Sequence, residues 1–230
     1  MRPGRSTVSE SVTLHASDGQ VLTACVARPA GKPVAGLVVI QEIFGVNAHI
    51  RSVAGGFAQD GFLAVAPALF DRIRPGIELG YEGADMQTAM SLIPELDAAK
   101  AVADVAAAID YAAKETGKKV GVVGYCFGGS IAWLAATRLH PDAAVGYYGG
   151  QIGKYAAETP NCPVMLHFGR QDAHIPPAVA EAVHAANPGV EIYWYDAGHA
   201  FNCDPRPSYN AAAAQLARER TLAFFKKHLA

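Results

Sequence analysis

Two segments near the start of the chain alternate between hydrophobic and polar residues. They are residues 11–17 and 20–27, and Asp18-Gly19 lies between them. Alternation with a period of two is typical of strands that have one solvated face, and Asp-Gly is a favoured turn between paired strands. The pattern therefore predicts an antiparallel hairpin.

Farther along the chain, short and almost entirely apolar runs replace the alternation. Such runs are typical of central parallel strands, which are buried on both faces. The segments between them fit helices; one is expected to begin after Asn47, and another to begin at Pro94 and end at Gly117. The predicted strands are residues 36–40, 62–66, 120–123, 143–147, 164–168 and 190–195, and the predicted helices are residues 47–60, 94–116, 129–139, 177–187 and 208–229.

The alternation of strands and helices predicts an α/β fold, with a mostly parallel central sheet, helices on both faces and an N-terminal antiparallel hairpin. The sequence contains no repeat, linker or shift in composition, so residues 1–230 are expected to form a single domain. Residues 69–91 are the exception, because this long stretch has no clear strand. Such an excursion inside a compact domain is often part of an active-site wall or lid.

Composition narrows the kind of partner. The chain is 51% hydrophobic, and its 19 basic and 21 acidic residues leave a formal net charge of −2. This balance excludes intrinsic disorder, and the lack of a basic run argues against nucleic acid or an anionic membrane as partner. We therefore expect a small-molecule partner. The sequence shows neither a membrane-spanning stretch nor an apolar leader, so the cytoplasm is the expected location.

The four cysteines are too widely spaced to suggest a metal site. Cys25, Cys126, Cys162 and Cys203 form no CxxC pair, and four cysteines in 230 residues is ordinary for a reducing compartment. The spacing argues against both a zinc site and a disulfide framework.

The strongest chemical motif is GYCFGG at residues 124–129, which follows a predicted strand and precedes a predicted helix. A nucleophile elbow has this context, with small residues on both sides of the nucleophile. The nucleophile here would be Cys126, at a helix N-terminus whose dipole favours a thiolate. The alternative is an inert cysteine in a glycine-rich turn.

A nucleophile of this kind needs a base, and the base needs an orienting acid. In α/β-hydrolases the order along the chain is nucleophile, acid, histidine. Asp172 and His199 each follow a predicted strand in that order, so both would meet Cys126 at the carboxyl edge of the sheet. Asp196 is a rival for the acid. His49 and His174 lie near the expected mouth of the site.

The segment after the strand 36–40 supplies the remaining chemistry. In this fold the loop after that strand provides one oxyanion donor, so we assign the oxyanion hole to the backbone N–H groups of Ile43 and Phe127. Glu42 would then be a carboxylate beside the thiol; the alternative is a solvated loop charge.

Together these segments resemble the dienelactone hydrolase (carboxymethylenebutenolidase) family over residues 10–229. The resemblance rests on residues 41–47 (QEIFGVN), 124–129 (GYCFGG), 146–149 (GYYG), 169–176 (GRQDAHIP) and 198–201 (GHAF).

The resemblance implies an α/β-hydrolase fold, no metal or organic cofactor, and a triad of Cys126, His199 and Asp172. It also implies that Glu42 pairs with the thiol at rest and takes its proton when substrate displaces the carboxylate. The implied reaction is opening of an enol-lactone through a cysteine thioester. The alternatives are a general esterase or thioesterase of the same family, a redox-sensing thiol and a partner-binding module.

The chain departs from the family at the arginines that hold the substrate carboxylate. Where the resemblance implies an arginine four residues after His199, this chain has Cys203, and the nearest arginine is Arg206. The other arginine falls near Tyr81, so Arg72 or Arg74 would have to substitute. The expected substrate contacts are Arg206, Arg74, Tyr81, Tyr148 and Phe201. The oligomeric state is expected to be a monomer or a small homo-oligomer.

Overall fold

A computed structural model describes residues 8–230 and shows an eight-stranded sheet. Residues 1–7, on which the expectation about a leader depends, lie outside the described residues. The strands are β1 (Val8–His15), β2 (Val21–Arg28), β3 (Gly36–Ile40), β4 (Leu63–Pro67), β5 (Val120–Tyr125), β6 (Ala143–Tyr147), β7 (Val164–Gly169) and β8 (Glu191–Tyr195).

The sheet has the order β1-β2-β4-β3-β5-β6-β7-β8 and is mostly parallel. Only the pairs β1–β2 and β2–β4 are antiparallel, so the predicted N-terminal hairpin is confirmed. Every residue of β3 to β7 is buried, as the apolar runs predict. Strand β8 lies at the edge of the sheet, and four of its five residues are half-buried.

Within residues 8–230, six helices lie around the sheet, and their ends follow local capping chemistry. Asn47 caps the first helix by accepting a hydrogen bond from the Ile50 N–H, as predicted. Gly117 ends the third helix with a φ of 61°, a left-handed conformation that glycine adopts without strain. The helices are α1 (Ala48–Gln59), α2 (Gly83–Leu92), α3 (Ala98–Thr116), α4 (Phe127–Arg138), α5 (Ala178–Ala186) and α6 (Ala211–Leu229).

The predicted start of α3 at Pro94 is wrong. Pro94 lies in a separate 3₁₀ turn, Ile93–Glu95, and α3 begins after Asp97. The Asp97 carboxylate accepts hydrogen bonds from the N–H groups of Ala99 and Lys100, so it satisfies two donors that the first helical turn leaves free.

Residues 69–91 contain no named strand, as expected, but they do contain a 3₁₀ turn (Leu69–Arg72) and most of α2. Helix α2 was not predicted, because only Ala89 and Leu92 are buried and the apolar pattern is weak. Arg72 anchors this stretch through ion pairs with Asp18 and with the buried Asp104. Its guanidinium is therefore occupied by these two ion pairs, and it does not take the place of the arginine that the family resemblance implies for binding substrate.

Close packing of α4 against β5 and against the end of β3 places the candidate nucleophile. A Cβ at Gly124 would lie 1.9 Å from the Gly128 carbonyl oxygen, and a Cβ at Gly128 would lie 2.5 Å from the carbonyl oxygens of Ile40 and Gln41. Because real Cβ atoms never approach so closely, only glycine fits at both positions. Residues 127–136 of α4 are all buried, so the helix is held firmly behind the elbow.

Among residues 8–230, the structure contains no helix with the length and apolar character needed to span a bilayer.

Candidate active site

Cys126 occupies a strained turn between β5 and α4. Its backbone has a φ of 55° and a ψ of −115°, a left-handed conformation that costs a non-glycine residue about 1–3 kcal/mol. Its N–H donates to the Tyr147 carbonyl oxygen at 3.0 Å, which ties the turn to the end of β6. The turn holds a half-exposed thiol at the N-terminus of α4, the geometry of a nucleophile elbow.

The structure brings Cys126, His199 and Asp172 into one chain of hydrogen bonds. His199 Nε2 lies 3.2 Å from Cys126 Sγ, and His199 Nδ1 lies 2.7 Å from Asp172 Oδ2. The other carboxylate oxygen, Asp172 Oδ1, accepts from the His174 N–H at 2.8 Å. This arrangement has the order of nucleophile, base and orienting acid.

Two loops at the carboxyl edge of the sheet supply the base and the acid. The β7 loop carries Asp172 and the β8 loop carries His199, and they are joined by hydrogen bonds from the Arg170 N–H to the Tyr195 carbonyl and from the Gln171 N–H to the Ala197 carbonyl. This pairing keeps the acid and the base in register. It explains how residues 27 positions apart are held within hydrogen-bonding distance.

Electrostatics at the site favour a charged histidine. Burial by itself would lower the pKa of His199, but hydrogen bonds to Asp172 and Cys126, together with their charges, outweigh it and raise that pKa to about 10. Burial works against ionisation of Asp172, yet the hydrogen bond from His199 keeps the pKa of that carboxyl below its usual value. The surroundings therefore stabilise an imidazolium, the partner that a cysteine thiolate needs.

The rival acid, Asp196, lies outside the hydrogen-bonded chain of Cys126, His199 and Asp172. Its side chain is 86% exposed and faces Arg170 at 3.6 Å, whereas the side chain of Asp172 is 1% exposed. A solvated carboxylate that points at an arginine cannot orient His199. Geometry thus favours Asp172 as the orienting acid.

The two backbone groups assigned to the oxyanion hole lie at the same cavity as the thiol. Ile43, in the loop after β3, and Phe127, the first residue of α4, both line it. Among the described residues, neither N–H donates a hydrogen bond to another protein group. Both are therefore available to an oxyanion, and the dipole of α4 adds to the effect at Phe127.

The cavity has a volume of about 510 Å³, and most of its wall is apolar. Met86 and Met90 of α2 form part of this wall, so the stretch 69–91 does contribute to it. Arg206 is the one arginine or lysine that lines the cavity within the described part of the chain. The lining residues are Ile43, Phe44, Met86, Met90, Ile93, Cys126, Phe127, Ser130, Gly150, Gln151, His174, His199 and Arg206.

Arg206 reaches the cavity along an aromatic surface. Its guanidinium carbon lies 5.9 Å from the ring centre of Phe44 and 6.0 Å from that of Tyr81, near the outer limit for cation–π contact. No carboxylate among the described residues pairs with Arg206, so this charge is available to a ligand. The expectation that Arg206 contacts substrate is consistent with this position.

Three other expected substrate contacts do not reach the cavity. Arg74 is exposed and is not part of the wall. Tyr148 and Phe201 are fully buried and pack on each other, with the Tyr148 ring 5.2 Å from the ring of His199. These two side chains pack behind the histidine and do not line the cavity, so the structure gives no support to the expectation that they bind substrate.

Tyr81 contacts Glu42 and does not line the cavity wall. Its hydroxyl donates to Glu42 Oε2 at 3.2 Å and accepts from the Asn47 side-chain amide at 3.1 Å. Burial and the Glu42 charge raise the pKa of Tyr81 far above its usual value, so its hydroxyl stays protonated.

Glu42 is buried, with 1% exposure, which excludes the interpretation as a solvated loop charge. The structure also differs from the expected resting pair of thiol and carboxylate. The Cys126 thiol bonds to His199, while the Glu42 carboxylate bonds to Tyr81 and, at 3.6 Å, to the Cys203 thiol. The thiol is thus already turned toward its base.

The two histidines expected near the mouth differ in position. His174 lines the cavity, and its ring lies 5.4 Å from the ring of His199. His49 is buried behind the loop that carries Glu42 and lines a separate groove. Sequence reasoning missed Met86, Met90 and Ile93 of the cavity wall, because the weak pattern of α2 gave no sign of which side chains face inward.

Comparison with known proteins assigns the family. The family model described as the dienelactone hydrolase family matches residues 22–229. The chain belongs to the dienelactone hydrolase family. Carboxymethylenebutenolidases of Pseudomonas putida and of Pseudomonas knackmussii are each 37% identical to it over 226 residues, which cover 94% of this chain and 96% of each relative. The chain is therefore an enzyme, a hydrolase of the carboxymethylenebutenolidase type.

Solved structures agree with this assignment. A Klebsiella pneumoniae protein, provisionally described as a dienelactone hydrolase, has a TM-score of 0.85 and 32% identity, and the match covers 96% of this chain and 99% of that one. A dienelactone hydrolase-like promiscuous phosphotriesterase from metagenomic libraries has a TM-score of 0.73 at 21% identity, which shows the shared fold alone. The fold is that of the α/β-hydrolases, as predicted.

We expect replacement of the two candidate acids to have very different effects. Asp172→Asn should lower kcat by about 10³–10⁴, because the amide no longer fixes the tautomer of His199 or stabilises its charge. Asp196→Asn should leave kcat within about twofold, since an exposed carboxylate contributes little. Steady-state hydrolysis of an aryl ester measures both. Equal losses in the two variants would mean that Asp172 is not the orienting acid.

Proposed function

We propose that this enzyme opens enol-lactones, of the type that converts dienelactone to maleylacetate, through a thioester on Cys126. The observation that supports this most directly is the hydrogen-bonded chain of Cys126, His199 and Asp172 at the mouth of a cavity with an arginine in its wall. Family membership supplies the class of reaction, and the geometry supports the assignment of roles.

In the first half-reaction, the Cys126 thiolate attacks the lactone carbonyl carbon. The charge that develops on the carbonyl oxygen is stabilised by the N–H groups of Ile43 and Phe127. The ring C–O bond then breaks and the enolate leaves. His199, as imidazolium, donates a proton to the leaving oxygen, which yields an enol that tautomerises to the ketone and leaves the acyl group on sulfur.

In the second half-reaction, His199 takes a proton from water and the hydroxide attacks the thioester carbon. The C–S bond breaks, the acid is released and the thiolate returns to its place beside the imidazolium. Asp172 keeps the imidazole ring oriented throughout. The net change is addition of one water across the lactone C–O bond.

A cysteine nucleophile suits an enol-lactone better than a simple alkyl ester. Thiolate is a good nucleophile and also a good leaving group, so a tetrahedral intermediate with a poor alkoxide expels the thiol again. An enolate is a weaker base and leaves first. This argument favours activated esters as the substrate class.

The apolar wall supports a second candidate, a general esterase or thioesterase of the same family. Met86, Met90 and Ile93 face the cavity together with Phe44, and such a surface accommodates an uncharged acyl chain. Arg206 is the feature that separates the two candidates, because only an acidic substrate would use its charge.

The proposal also covers the pathway, the cellular location and the oligomeric state of the enzyme. We place it in the breakdown of aromatic compounds in the cytoplasm, as a monomer or small homo-oligomer that acts on a small lactone or ester without a cofactor. The carboxymethylenebutenolidase relatives and the ordinary cysteine content of the chain support this setting.

The central test is replacement of the nucleophile. Cys126→Ala should lower kcat for dienelactone and for an aryl acetate by at least about 10³-fold, since removal of a nucleophile abolishes the covalent route. Rapid acid quenching of the unmodified enzyme should trap an acyl adduct that intact-mass spectrometry places on the Cys126 peptide. Cys162→Ala, which alters a half-buried cysteine outside the cavity, is the control. Retention of most activity by Cys126→Ala would disprove the thioester route and leave the thiol a sensor.

The substrate class is tested at Arg206. Arg206→Gln should raise KM for a carboxylate-bearing dienelactone by about tenfold, equivalent to roughly 1.4 kcal/mol, and leave KM for a neutral aryl ester unchanged. The matched control is Arg74→Gln, an exposed arginine outside the wall. If both substrates respond alike, recognition of a carboxylate is excluded and the general esterase is favoured.

Glu42 remains a proposed participant in the metal-free enzyme: when the thiol is turned toward this carboxylate, and not toward His199 as it is in this structure, Glu42 would take the thiol proton as substrate binds. Glu42→Gln should then lower kcat and make turnover depend more steeply on pH, because Cys126 would ionise only through His199. Glu82→Gln, at an exposed loop position, is the control. The pH–rate profile and the rate of iodoacetamide labelling measure the effect. Unchanged profile and labelling in Glu42→Gln would rule out this role and leave the triad intact.

A further inference from the structure

Behind the loop that follows β3 lies a second cluster of reactive side chains, and two of its three members, His49 and Cys203, have no part in the proposed reaction. Glu42 of that loop, His49 in the first turn of α1 and Cys203 in the loop after β8 converge there. Their donor atoms lie within 4.8 Å of one another, and all three residues are buried. Residues so far apart in sequence meet only because β3 and β8 deliver their loops to the same edge of the sheet.

His49 presents a free nitrogen to this cluster. Its Nδ1 lies 2.8 Å from Asp204 Oδ1, and since a carboxylate only accepts hydrogen bonds, Nδ1 is the protonated nitrogen. In a neutral ring Nε2 then carries a lone pair. Nε2 is buried and has no hydrogen-bond partner within the described chain, and the His49 side chain is 3% exposed. Unpartnered buried polar atoms are rare and call for an explanation.

Glu42 presents a second free atom. Its Oε2 bonds to the Tyr81 hydroxyl and the Cys203 thiol, but Oε1 is buried and has no hydrogen-bond partner among residues 8–230. A buried carboxylate oxygen that has no hydrogen-bond partner among the described residues is unfavourable, so this atom also calls for an explanation.

We propose that Glu42, His49 and Cys203 form a binding site for a thiophilic divalent cation, with Zn²⁺ as the representative ion. A carboxylate oxygen, an imidazole nitrogen and a thiolate are the donor types that Zn²⁺ takes in proteins, whereas Mg²⁺ and Ca²⁺ prefer oxygen alone. Asp204 bonded to the far nitrogen of His49 is the carboxylate–histidine arrangement that orients histidine ligands toward zinc.

The distances fit this ion after a small contraction. Zinc–ligand bonds of about 2.0–2.3 Å in tetrahedral geometry place neighbouring donor atoms roughly 3.3–3.8 Å apart. The three donors need to move inward by about 1 Å at most from their 4.8 Å limit. On binding, the Cys203 thiol loses its proton to solvent, and the cation charge offsets the Glu42 carboxylate. A groove of about 500 Å³ lined by His49, Asn202 and Asp204 leads from solvent to the histidine.

The test measures metal binding directly and does not depend on turnover. The background is full-length Cys126→Ser, in which the candidate nucleophile no longer offers a thiol. Metal-stripped protein is titrated with Co²⁺, whose thiolate charge-transfer and tetrahedral visible bands report the ligand set, and the Co²⁺ is then displaced by Zn²⁺. We expect one equivalent to bind with a cysteine-to-cobalt band.

Variants in the same background assign the ligands. Cys203→Ser should remove the charge-transfer band, and His49→Gln should weaken Zn²⁺ binding by well over about tenfold. Cys162→Ser and His184→Gln, which replace a cysteine and a histidine outside the cluster, should change neither the band nor the affinity.

Asp204→Asn is a further variant, and it tests the orientation of His49 without disturbing the core, because the Asp204 side chain is 66% exposed. It should weaken Zn²⁺ binding by about 10–100-fold through loss of histidine orientation.

Circular dichroism verifies that each variant is folded. Lack of binding by the Cys126→Ser protein, or a charge-transfer band that survives in folded Cys203→Ser, would overturn the proposal. Either result leaves the proposed hydrolysis untouched, since kinetics on the unmodified enzyme test that separately.

Discussion

The candidate site depends on how closely β5 approaches α4. Gly124 and Gly128 have no Cβ, so the strand can turn into the helix within a few residues and hold Cys126 in a left-handed conformation. This turn directs the thiol out of the sheet edge, and it also leaves the Phe127 N–H free at the start of α4. One steric constraint therefore positions both the candidate nucleophile and half of the proposed oxyanion hole, and the buried residues 127–136 of α4 hold the strained turn in place.

The other two members of the hydrogen-bonded chain, Asp172 and His199, lie in loops that follow neighbouring strands. Because the strands around β5 are parallel, their carboxyl ends lie at one edge, where the loops after β7 and β8 bring Asp172 and His199 to the thiol. The cavity beside this edge is lined by Met86 and Met90 of α2 and by Arg206, all of which lie outside the turn.

The replacement at Cys203 alters the surroundings of Glu42. Where the family resemblance implies an arginine, this chain places a thiol 3.6 Å from the carboxylate, with the free nitrogen of His49 in the same cluster. A guanidinium would neutralise Glu42 directly, whereas a protonated thiol does not. The Arg206 guanidinium lies along Phe44 and Tyr81 at the cavity. The thiol at position 203 thus gives the space behind the loop a set of side chains different from the one that the family resemblance implies.

The sequence by itself determined the strands, the caps at Asn47 and Gly117, the elbow and the order of its triad, because buried apolar runs, glycine turns and strand-end motifs are local signals. Tertiary structure supports the sequence-based choice of Asp172 over Asp196, because the Asp172 side chain is buried and the Asp196 side chain is exposed. It also formed α2 from a segment with almost no buried face, and it committed Arg72 to Asp104. The convergence of Glu42, His49 and Cys203 was invisible in sequence, since their spacing matches no motif. Long-range packing decided these features, and no local pattern encodes which distant side chains share a buried space.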